Sequence, residues 1–112
     1  MKDKKPPGGS VDRLQVRSRA LRGPAADVEL AAFAKAIAHP VRVRIVRMLA
    51  EKQARICSHI VDELPLAQST VSEHLRVLRS AGLIQANESG PRVSYCIVPA
   101  ALARLRALLE NL

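Results

Sequence analysis

The stretch Leu64–Leu83 (Leu-Pro-Leu-Ala-Gln-Ser-Thr-Val-Ser-Glu-His-Leu-Arg-Val-Leu-Arg-Ser-Ala-Gly-Leu) constrains the fold of this chain most. Pro65 has no amide proton and its ring clashes with the turn behind it, so it ends the preceding helix. Gly82 supplies the left-handed residue that closes the next one. Between them Val71, Leu75 and Leu78 recur at i, i+4 and i+7, the spacing of one buried helical stripe. The opposite side carries Ser69, Ser72, Glu73 and Arg76, with Gln68 and Arg79 on its flanks. Hydroxyls, a glutamine and arginines can hydrogen-bond base edges and phosphate oxygens. The same face also suits an ordinary solvated amphipathic helix.

The rest of the sequence favours the polyanion. Net charge is +8 with an isoelectric point near 10.5, which fits nucleic acid or an anionic membrane. Aromatic residues are 2% of the chain, a single Phe33 and a single Tyr95. Single-strand and RNA binders stack bases on several rings, so duplex DNA is the better match. No apolar run approaches the ~20 residues that span a bilayer, and the basic start lacks the apolar segment of a signal peptide. A cytoplasmic protein follows, and Cys57 and Cys96 are too few for a secreted disulfide scaffold.

In chain order, residues 1–26 read as a basic arm. Lys2, Lys4, Lys5, Arg13, Arg17, Arg19 and Arg22 face only Asp3 and Asp12, so this segment holds +5 of the +8. Such an arm either adds salt-sensitive phosphate affinity or is a solubilising extension. Residues 27–112 read as the folded domain. Asp27 can cap a helix with a Leu30, Phe33, Ile37 stripe. His39-Pro40 breaks it and starts another, with Val41, Ile45, Met48 and Leu49 inward and Arg42, Arg44 and Arg47 largely outside.

Ala54-Arg55-Ile56 fits a brief strand, and Cys57–Leu64 a short helix. Helix, short turn, helix is the helix-turn-helix arrangement. After Gly82 the period changes. Leu83–Ala86 and Arg92–Val98 flank the turn residues Asn87-Glu88-Ser89-Gly90-Pro91, which makes a hairpin. A hairpin there is a wing, and Arg92 at its tip either reaches phosphate or is merely solvated. Pro99 restarts a helix in which Leu102, Leu105, Leu108, Leu109 and Leu112 form a broad apolar stripe. With little domain left to cover it, that stripe reads as a dimer seam shared with the first helix, through Leu30, Phe33, Leu102, Leu105 and Leu109. The expected fold is mainly α: a winged helix-turn-helix of about five helices plus a hairpin, as a homodimer.

Phe33–Leu49, Gln68–Leu83 and Gly90–Tyr95 together resemble the ArsR/SmtB family of winged-helix repressors, over roughly Leu30 to Leu109. The segment Gln-Ser-Thr-Val-Ser-x-His-Leu-x-x-Leu followed by Ala-Gly-Leu carries the resemblance most specifically. It implies a homodimer that represses from palindromic operators and leaves DNA when an effector binds. Position by position, it places DNA contacts at Gln68, Ser69, Thr70, Ser72, His74 and Arg76. His74 is also readable as a packed, hydrogen-bonded histidine at the border of the apolar stripe. Two positions depart from the family pattern: Ala67 stands where a capping Ser is frequent, and Glu73 where a basic or neutral polar residue is common.

The effector is less legible. Arsenic sensors of the family often open the first helix of the motif with Cys-x-Cys; here the residues are Cys57-Ser58-His59. The His and acidic ligands that zinc-type sensors carry on the last helix are missing, apart from Glu110. A wing strand running beside the strand before the motif would bring Cys57 near Cys96, with His59 close by. Such a site suits arsenite or antimonite, a thiophilic metal such as zinc or cadmium, or a reversible disulfide. The alternative is structural cysteines in a constitutive DNA-binding protein with no metal or thiol effector. No cofactor is required. An enzyme is not expected, because no nucleophile triad, phosphate-binding glycine loop or carboxylate pair occurs at usable spacing. A membrane-surface role suits the last helix poorly, since only Arg104 and Arg106 line its polar face.

Overall fold

The computed structural model describes residues 20–52, 60–88, 90–91 and 93–112. They form α1 (Pro24–Ala36), α2 (Pro40–Ala50), the single turn α3 (Ile60–Glu63), α4 (Gln68–Ser80), β1 (Ile84–Asn87), β2 (Ser94–Ile97) and α5 (Pro99–Glu110). The strands pair antiparallel, Ile84 opposite Ile97 and Asn87 opposite Ser94. The arrangement is a winged helix-turn-helix, mainly α with a two-stranded wing. The expected strand at 54–56 and the start of the Cys57–Leu64 helix lie outside the described residues.

The first helix begins earlier than Asp27. Pro24 takes the first helical position, where its fixed φ is already helical and its missing amide is no loss. Gly23 precedes it at φ 107, a conformation that only glycine adopts cheaply. Asp27 instead sits in the first turn, its charge near the positive end of the helix dipole. Residues 20–26 therefore belong with the fold: Ala26 is buried, and Arg22 Nε donates to the carbonyl of Asn111 at 3.1 Å. The remainder of the basic arm, residues 1–19, lies outside the described residues.

His39 caps α2, its Nδ1 accepting from the Val41 amide at 3.1 Å, and Pro40 follows at the first position. Ile45, Val46 and Leu49 of α2 enter the core, while Val41 and Met48 are half-buried. Arg44 and Arg47 are exposed as expected. Arg42 is not, because its Nε donates to the carbonyl of Ala36 at 2.6 Å and fastens α2 to the end of α1.

Gly82 closes α4 as expected, at φ 82. The Gly82 amide donates to the Arg79 carbonyl at 3.0 Å, and the Leu83 amide to the Leu78 carbonyl at 3.1 Å. This is the Schellman pattern, with Leu78 and Leu83 both fully buried beneath it. Val71, Leu75, Leu78, Leu83, Ile84 and Ile97 share one core with Ile45, Leu49, Ile60 and Leu108, so the wing and α4 sit on one platform.

The last helix requires a correction. Leu105 is 4% exposed and Phe33 8% exposed, both inside the core of a single chain, so neither is a free seam residue. Leu30 and Leu102 are half-buried. What α1 and α5 leave open is Val28, Leu109 and the terminal Leu112. Five leucines make a stripe wider than one contact, and its inner half is used internally. Arg104 also joins α5 to α1 within the chain and does not lie on a solvated face. It forks onto Glu29 of α1 at 3.0 and 2.8 Å, and its side chain is 15% exposed.

Candidate DNA-reading face

The helical period that buries Val71, Leu75 and Leu78 turns Gln68, Ser69, Thr70, Ser72, Glu73, Arg76, Arg79 and Ser80 to solvent. Five of the six contact positions expected on α4 thus share an open polar face: Gln68, Ser69, Thr70, Ser72 and Arg76. The helix starts without a side-chain cap, since Ala67 has no oxygen to offer the first amides.

His74 lies apart from that face. It is 9% exposed, its ring centroid 4.4 Å from that of His39. Arg42 Nη1 lies 3.2 Å from its Nδ1. A guanidinium can only donate, so Nδ1 accepts and the imidazole is neutral with its proton on Nε2. Burial holds the His74 pKa below the ordinary 6.5; His39 and Arg42 add to the effect and Glu73 opposes it. His74 therefore joins α4 to the His39-Pro40 corner, the packed role that its border position allowed.

Two acids meet the arginines of the open face. Glu73 accepts from Arg76 Nε at 3.0 Å and from Nη2 at 2.6 Å, a two-point fork between side chains 59% and 64% exposed. The Arg76 hydrogen bonds are the main reason the Glu73 carboxyl lies below the usual carboxylate range. At the far end of the helix, Arg79 Nη2 lies 3.6 Å from Glu88, at the base of the wing turn.

Between α4 and the wing runs a cleft of about 490 Å³ lined by Ser72, Leu75, Arg76, Arg79, Ser80 and Tyr95. Ser80 and Tyr95 were not among the expected contacts. Ser80 was legible, standing four and eight residues after Arg76 and Ser72 on one helical row. Tyr95 was not, because only the pairing of Ala86 with Tyr95 sets its position beside α4.

The effector candidates are only partly in view. Cys96 is a free, buried cysteine on β2, and Gln85 Nε2 donates to its Sγ at 3.6 Å. Cys57, His59 and Arg92 lie outside the described residues. Among the described residues no three His, Cys, Asp or Glu side chains gather to hold a metal.

Residues 39–86 match the family model described as bacterial regulatory protein, arsR family. An uncharacterised HTH-type transcriptional regulator of Methanocaldococcus jannaschii is 35% identical over 78 residues, 70% of this chain and 88% of that protein. The chain belongs to the arsR family. Its relatives are DNA-binding transcriptional regulators and not enzymes. The fold is similar to that of an ArsR-like transcriptional regulator from Rhodococcus, with a TM-score of 0.64, 24% identity, and coverage of 79% of this chain and 82% of that one. It is also similar to the cadmium metal-sensor CMTR of Mycobacterium tuberculosis, with a TM-score of 0.50, 36% identity, and coverage of 72% and 80%. No described helix of this arsR-family chain is long and apolar enough to cross a membrane.

Proposed function

We propose that the protein is a dimeric repressor that binds a palindromic operator in the cytoplasm and leaves it when a thiol-directed effector binds. The observation that carries this reading is the open face of α4: five hydrogen-bonding side chains and a basic cleft, set on a rigid core beside the wing. Gln68, Ser69, Thr70, Ser72 and Arg76 address base edges and nearby phosphates, while Arg79, Ser80 and Tyr95 line the cleft beside them, and Arg92 adds a phosphate contact. Duplex DNA rather than membrane or single strand suits a helix of this width and a chain with two aromatics. Exposed Val28, Leu109 and Leu112 offer the apolar surface on which a second copy docks. Two such copies place their α4 helices one duplex turn apart, about 34 Å.

The effector reading rests on Cys96. A soft ligand held by Cys96 with Cys57 and His59 (arsenite, antimonite, zinc or cadmium) or thiol oxidation would shift β2, and with it Tyr95 at the wall of the cleft. The cadmium sensor among its structural relatives supports a thiophilic ligand.

Selection of bound duplexes from a random pool, repeated with arsenite and with cadmium, tests the proposal. A palindrome should be enriched and then released by effector, and Cys96→Ser should remain bound. Enrichment that no effector changes would leave a constitutive DNA-binding protein.

A further inference from the structure

The pairing of Glu73 with Arg76 lies on the open face of α4, where an acid works against phosphate, and neither side chain is used by the core. A guanidinium presents two donor edges. Glu73 occupies the edge formed by Nε and one Nη2 proton. The other edge, formed by one Nη1 proton and the second Nη2 proton, is a two-donor fork of the width that matches O6 and N7 of guanine. An exposed arginine without a partner samples many rotamers and meets phosphates as readily as bases. Arg76 is held at two points by Glu73, at the wall of the cleft. The Arg76 hydrogen bonds hold the Glu73 carboxyl below the usual carboxylate range.

We infer that Glu73 is a positioning residue that fixes Arg76 for reading guanine in the operator, at the cost of weaker attraction to DNA as a whole. The inference rests on the DNA-reading proposal above. Two consequences separate it from a merely repulsive acid. Removing the charge raises affinity for every duplex, yet discrimination at the Arg76 position falls.

The test is a fluorescence-anisotropy titration of Glu73→Gln, Arg76→Ala and the double variant. Each is titrated with the selected operator, with the same duplex carrying adenine for guanine at each half-site position in turn, and with an unrelated duplex. Both residues are solvent-exposed, and thermal melts check that each variant folds. Glu73→Gln should bind the unrelated duplex several-fold tighter. It should lose about tenfold of the guanine preference at one position, a position at which Arg76→Ala shows no preference. In the Arg76→Ala background, Glu73→Gln should leave every preference unchanged. An unaltered guanine preference in Glu73→Gln overturns the inference while leaving operator binding intact. A wild-type protein that prefers no duplex removes the DNA-reading proposal first, and this inference with it.

Discussion

Ala67→Ser should stabilise the protein, and by a magnitude the geometry sets. Ala67 already has extended backbone at φ −60 and ψ 143, and its carbonyl accepts from the Val71 amide at 3.0 Å. The amides of residues 68–70 come too early in α4 for an intrahelical acceptor, and no side chain caps them. A serine hydroxyl placed there can accept from the amide of Ser69 or Thr70 with no change of backbone. Ser in place of Ala at this position is worth about 1 kcal/mol, within a range of about 0.5–2. For a domain of this size that is a rise in Tm of about 4–8 °C, measured by circular dichroism at 222 nm or by calorimetry. Ala67→Val, which adds bulk without an acceptor, is the control and should show no gain. A serine variant that melts with or below the wild type would refute the reasoning, as would an equal gain from valine.

Other expectations follow from burial, charge and the His74 environment. Leu105→Ala should cost about 2–5 kcal/mol of stability because its side chain is in the core, whereas Leu109→Glu should fold normally and sediment as a monomer. A Leu109→Glu protein that remains dimeric would move the interface elsewhere. The His74 pKa is lowered in the fold, so its contribution to stability is complete above the ordinary 6.5 and is lost as pH falls below that value. From about pH 7.5 to about pH 5 the Tm should fall further in wild type than in His74→Gln; parallel curves of Tm against pH would contradict this. Removing residues 1–19 should lower the slope of log K against log salt by about 0.9 for each phosphate that the arm neutralises. An unchanged slope would show that the arm does not touch DNA.

How much could be read in advance depended on whether the cause was local. Pro65, Gly82 and the Val71, Leu75, Leu78 stripe act within a few residues, and α4 lies where they put it, closed by the Schellman pattern at Gly82. The hairpin was legible for the same reason, from β-rich flanks around turn residues. The start of α1 was missed because Gly23-Pro24 sits in a segment whose composition resembles the arm. Arg104 was misread as solvated because its partner Glu29 is 75 residues away in sequence, and Arg42 because its acceptor is a backbone carbonyl, that of Ala36, which no residue pattern marks. Periodicity could show that α5 was apolar, but not which of its leucines the same chain would cover. His74 stood on the border of the stripe, and only the His39-Pro40 corner packed against it decides its side.

The most direct test of the account is a heteronuclear NMR titration of the full chain with its selected operator duplex. Amide shifts should concentrate at Gln68–Arg79 and around Tyr95, with the outer face of α1 and α5 unaffected by DNA. Shifts confined to α1 and α5, with the α4 amides silent, would contradict the claim that α4 reads the duplex.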